Sequence, residues 1–173
     1  MVICYLIEKF IESHAYQAYI VNKIKQNPKY MDFIKNPRYD IMFKIIDINP
    51  EYVFKFLNQI TAKHLKHALS KDPRIMKLFQ YYPGMSDEIK KAALEVDYTN
   101  IFYMDNNSYD ILKKAISINP NAIKLIRDVI PEELLEQCII KQPDLIYMLK
   151  NPSEKLISLA KTLGMDMNFW EID

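Results

Sequence analysis

The segment KIIDINPEYVFKFL, residues 44–57, returns in altered form as KKAISINPNAIKLI at 113–126. In both, an apolar run of helical spacing stops at an asparagine, a proline follows, and a second apolar run begins. An asparagine side chain can accept a hydrogen bond from the backbone N–H groups that a helix start leaves unpaired. Proline suits the first helical position because its missing N–H costs nothing there, and it forces the residue before it out of the α region. Asn-Pro therefore ends one helix and starts another with no glycine between them.

The same junction stands at Pro28, Pro50, Pro73, Pro120 and Pro143, separated by 22, 23, 47 and 23 residues. The gap of 47 holds two units, because LEVDYTNIFYM (94–104) lies over IDINPEYVFKF (46–56) with Tyr98 in the proline place. NPSEKLISLAKTLGMDM (151–167) is a seventh copy, with Met165 in that place. Self-similarity at this period marks a repeat architecture.

The columns of the repeat have separate physical meanings. The residue before the proline place is Asn27, Asn49, Asp72, Asp97, Asn119, Gln142 or Gly164. Three and six places after it come Met31/Ile34, Val53/Phe56, Met76/Phe79, Ile101/Met104, Ile123/Ile126 and Ile146/Leu149, one face of a second short helix. Nine and eight places before it, Ile41/Met42, Ile111/Leu112, Leu134/Leu135 and Leu156/Ile157 form the buried side of the first helix. Five places before it stand Lys23, Ile45, Ala68, Ala93, Ala115, Cys138 and Ala160, small enough in most copies for close helix approach. Twelve places before it Thr61, Ser86, Ser108 and Ser153 serve as caps, with Pro131 in the same column. Acids follow in the first turn (Asp87, Glu88, Asp110, Glu132, Glu133, Glu154), where the helix dipole favours them. Helices of roughly ten and eight residues are unstable alone in water and must stack on their neighbours.

These columns predict an all-α, right-handed α-solenoid of about seven short helical hairpins, HEAT-like, forming a single domain over 1–173. Residues 1–26 are expected to supply an N-terminal cap and the first helix, and residues 27–173 the stacked repeats. Phe169 and Trp170 are expected to close the far end, and 81–87 and 105–110 to be the longest loops. KNPSEKLISLAK (150–161), with the two segments quoted first, resembles a family of short α-helical repeats in phage, giant-virus and some bacterial proteins. The resemblance spans residues 16–168 and implies a stacked helical repeat protein of viral type; it supplies no catalytic residue.

Composition narrows the chemistry. With only Gly84 and Gly164 in 173 residues, no glycine-rich phosphate loop or nucleophile elbow can be written. No apolar run approaches membrane length, and Val2 to Ile7 lacks the basic flank of a signal peptide, so an intracellular, soluble protein is expected. Cys4 and Cys138 read as reduced and inert. His64 and His67, three apart, lack a third ligand nearby; His64 occupies an apolar column and reads as a buried, hydrogen-bonded side chain. No catalytic residue, metal site or cofactor is indicated.

Two sets remain as a binding surface. Seven and six places before the proline stand Lys44, Lys66, His67, Lys91, Lys113 and Lys114, a basic stripe on the exposed side of the first helices. Tyr81 and Tyr82 lie at a loop, where tyrosine offers contact area at low entropic cost. Both sets also admit a plainly structural role, as solvated lysines and packed rings. The expected partner is another protein, for a viral factor a host or viral one. Nucleic acid along the lysine stripe is the alternative, weakened by the presence of only three arginines, Arg38, Arg74 and Arg127. No membrane partner is expected.

Overall fold

The junctions at Pro28, Pro50, Pro73, Tyr98, Pro120 and Pro143 each join an α-helix to a 3₁₀-helix in the computed structural model, which describes residues 9–82 and 85–167. The α-helices are α1 (His14–Gln26), α2 (Tyr39–Ile48), α3 (Ala62–Lys71), α4 (Asp87–Val96), α5 (Tyr109–Ile118), α6 (Glu132–Lys141) and α7 (Glu154–Thr162). The 3₁₀-helices are η1 (Pro28–Phe33), η2 (Pro50–Phe56), η3 (Pro73–Tyr81), η4 (Tyr98–Tyr103), η5 (Pro120–Lys124) and η6 (Pro143–Met148). Among the described residues there is no strand. Phe169, Trp170, Cys4, Gly84 and the chain before residue 9 lie outside them.

The caps operate as their residue types require. Asn27, Asn49, Asp72, Asp97 and Asn119 accept from the backbone N–H two residues on, at 2.8–3.0 Å. Gln142, in the same column, forms no such bond. Ser86, Ser108 and Ser153 cap their α-helices at 3.5, 3.4 and 3.3 Å. Ser13 caps α1, bonding Tyr16 N–H at 3.2 Å. The last α-helix ends differently: Gly164 takes φ +86°, and Met165 N–H closes onto Ala160 carbonyl at 3.1 Å. A left-handed residue at that place is most readily glycine.

The second helices are 3₁₀ rather than α, which accounts for the +3/+6 column. At three residues per turn, side chains three apart eclipse and face one way. Met31/Ile34, Val53/Phe56, Met76/Phe79 and Ile101/Met104 are all buried. The column five places before the proline place is fully buried from Ile45 onward; only Lys23 departs from it.

Packing divides the chain into two compact units, residues 1–93 and 94–173. In the first, α1 packs on η1 and α2, α2 on η2 and α3, and α3 on η2 and η3. In the second, α5 packs on η4, η5 and α6, α6 on η5, η6 and α7, and α7 on η6. Short helices thus pack in sequence order within each unit. The second unit centres on Leu112, Ile116, Leu134, Cys138 and Leu145, continued by Ile139, Ile146, Leu156 and Met167.

One connection differs from expectation. The longest link between helices is 125–131, not 81–87 or 105–110. There η5 ends early, with Leu125 and Ile126 N–H both turned onto Ala122 carbonyl. Asp128 is then held by Asn107, whose backbone N–H and side-chain amide donate to its Oδ2 at 3.3 and 2.7 Å. At α2 the cap position is Arg38, which has no capping oxygen. Gln17, on α1 and 2% exposed, fills that role: its Oε1 accepts from Arg38 N–H at 2.9 Å and its Nε2 donates to Asn36 carbonyl at 2.8 Å.

Candidate interaction surface

Lys44 and Lys113 are exposed while Lys66, His67, Lys91 and Lys114 are half-buried, and carboxylates meet Lys44, His67 and Lys114. Lys44 Nζ lies 3.8 Å from Asp40, which also takes His14 Nε2 at 2.7 Å. His67 Nε2 and Lys71 Nζ converge on Asp47, at 2.9 and 3.1 Å. Lys114 Nζ reaches Glu95 at 3.2 Å. In both α2–α3 and α4–α5 the acid three places before the proline place receives a cation six places before the next one. The stripe is therefore partly a set of bridges between consecutive helices. The carboxyls of Asp40 and Asp47 are held below the usual range, chiefly by the hydrogen bonds from His14 and from His67. Lys113 lies over the Tyr109 ring at 6.0 Å, and Lys66 and Lys91 are half-buried.

His64 is 1% exposed, and its ring nitrogens are both engaged. Nδ1 accepts from Thr61 N–H at 3.1 Å, while Nε2 lies 3.0 Å from Tyr39 carbonyl, which fixes a neutral ring protonated at Nε2. The Tyr39 and Phe43 rings pack at 4.6 and 4.5 Å. Burial pulls its pKa down, outweighing the bond to Tyr39. Neither nitrogen is open to a metal. No group of three His, Cys, Asp or Glu side chains suited to a metal occurs among the described residues. Cys138 is fully buried, and burial pushes its thiol up to about 11. At neutral pH it is no nucleophile.

The two loop tyrosines separate. Tyr82 stacks on Phe54, centroids 4.8 Å apart and planes 15° apart, and Phe54 packs edge-on against Phe79 at 5.0 Å. It is thus half a lid over the core. Tyr81 is 69% exposed. Beside them a groove of about 400 Å³ is lined by Leu57, Ile60, Tyr82, Met85 and Ile89, with Glu88 among its polar groups. In the second unit Phe102 lies beneath the Arg127 guanidinium at 4.3 Å, and Tyr147 O–H donates to Asp166 carbonyl at 2.8 Å.

Sequence reasoning expected the lysines on the exposed side of the helices and missed the acids opposite them, although Asp47 and Glu95 share a column. It also missed the groove, which the link after η2, Tyr82 and the start of α4 line together. The class these features define is an all-α protein of short α- and 3₁₀-helices packed in sequence order. The chain matches no protein-family model, no curated protein and no solved structure at a significant level. No helix among the described residues is long and apolar enough to cross a membrane.

Proposed function

We propose that this chain is a non-catalytic, HEAT-like α-solenoid of about seven hairpins that binds another protein through the Tyr81–Tyr82 surface of its first unit. The repeat period and the sequence-order packing within each unit support the solenoid. The observation carrying the binding role is Tyr81, exposed next to Tyr82, which lines a groove of mixed apolar and polar character. It stands in the copy whose junction is longest, 25 residues from Pro73 to Tyr98 against 22 or 23 elsewhere. Extra length in one copy of a repeat protein maps to a loop on one face, often the binding face. The viral resemblance supplies the class of partner, a host or viral protein. Nucleic acid is the weaker reading, because carboxylates offset several of the stripe's cations and leave less charge for phosphates.

A photo-crosslinking residue at position 81, compared with one at exposed Lys29, tests the reading. Adducts specific to position 81 and lost in a Tyr82→Ala background support it. Identical adducts from both positions, or none from position 81, refute it.

A further inference from the structure

A second groove, of about 590 Å³, runs between α1 and α2 in the first unit. Its lining is apolar at Ala18, Val21 and Ile48 and charged at Lys25, Lys44 and Asp47. Lys25 is exposed and forms no ion pair among the described residues. Lys44 is loosely held, since Asp40 lies 3.8 Å away and is already bound by His14 at 2.7 Å. Asp47, the only acid of the lining, is offset by His67 and Lys71. With Asn22 also in its lining, the groove offers apolar patches between polar groups under a positive edge, in a volume within the range of about 300–1,000 Å³ usual for binding pockets.

Its chemical complement is a short segment of bulky apolar residues interleaved with acids. The chain has one in NFWEID (168–173), outside the described residues: Phe169 and Trp170 are followed by Glu171, Ile172 and Asp173, and no base intervenes. The charge of the two units agrees. Residues 1–93 hold 15 Lys/Arg against 9 Asp/Glu, while residues 94–173 hold 8 against 13. We propose that residues 168–173 of one copy dock into the α1–α2 groove of a second copy. The acids Glu171 and Asp173 are the charge complement of Lys25 and Lys44, and the apolar residues of the segment are the complement of Ala18, Val21 and Ile48. Such a contact joins two different surfaces, so it is heterologous and builds pairs or open chains according to whether its rotation closes. It is separate from the Tyr81 surface and stands or falls independently of it.

Charge exchange tests the contact with the full chain. Sedimentation equilibrium of the wild type is expected to show self-association that weakens as NaCl rises from about 0.1 to about 1 M, where the Debye length falls from about 10 to 3 Å. Trp170, the sole tryptophan, should shift its emission to the blue with concentration. Lys25→Glu/Lys44→Glu and Glu171→Lys/Asp173→Lys chains should each be monomeric, with unchanged circular dichroism, and should associate when mixed. A wild type monomeric at every concentration overturns the proposal, as do swaps without effect or a mixture that stays monomeric. A Trp170 emission that responds to the swaps but not to concentration also overturns it, because it places the segment within its own chain.

Discussion

Replacing Gln17 by leucine removes the group that caps α2 from a neighbouring helix. The amide bonds Arg38 N–H at 2.9 Å and Asn36 carbonyl at 2.8 Å, both part-buried. Leucine keeps the volume but leaves these two backbone groups without that partner. A net hydrogen bond contributes about 0.5–1.5 kcal/mol, and an orphaned buried group costs about 1–3 kcal/mol. Some relaxation toward water offsets part of this, so about 2–4 kcal/mol of lost stability is expected for the pair. For a chain of this length about 1 kcal/mol moves Tm by roughly 2–4 °C, so the midpoint should fall by roughly 5–15 °C. Urea unfolding measures the loss. Hydrogen exchange locates it, since the Arg38 amide should lose protection beyond its neighbours. Gln59→Ala is the control: its exposed amide meets the same loop at 3.2 Å on Lys35 and Asn36. The reasoning fails if Gln17→Leu costs less than about 0.5 kcal/mol, the scale of an ordinary surface substitution.

Protonation of His64 should destabilise the fold, because its folded pKa lies below its ordinary value. The unfolded chain then binds more protons below about pH 6.5, so stability falls as pH drops from there through the folded pKa. A His64→Asn chain should show a flatter slope over that window in urea titrations. Asp40 and Asp47, with lowered pKa values, act in the same sense at lower pH: their contribution is present above about 4 and is lost as pH falls through their folded pKa values. Cys138, in a Cys4→Ser background, should resist a disulfide reagent at pH 8 until urea unfolds the chain; rapid modification of the folded protein would remove the buried-thiol assignment. Ala115→Leu should cost about 1–3 kcal/mol by overpacking a fully buried position, measured by thermal unfolding.

The repeat was legible because its signals are local. A cap and a proline at one spacing, an apolar pair at +3 and +6, and a small residue at −5 each act within one copy. The 3₁₀ geometry was there to be read too, since +3/+6 is a period of three, yet a six-residue run also fits one face of an α-helix. What stayed hidden depends on neighbours. Gln17 is polar on an otherwise apolar helix face, and only its distance to Arg38 shows what it does. Lys114 looks like one lysine among many until Glu95 is seen 3.2 Å away. Tyr81 and Tyr82 are adjacent and identical in type, but only Tyr82 has Phe54 beneath it.

The division of each copy between two helical geometries governs where the chain tolerates a change of length. Helices α2 to α6 each have ten residues. From the proline place to the next cap position the chain takes 10, 11, 13, 10, 11 and 10 residues. One residue added inside an α-helix turns everything beyond it by about 100° and rotates the small column out of the core. One added inside a 3₁₀-helix turns the following side chains by about 120°, taking the +6 residue from its buried place. A residue added at 82–86 or 125–131 turns neither. Links of this kind, outside both helices, are where such a protein can acquire new surface, by evolution or by design, without disturbing what it is built on.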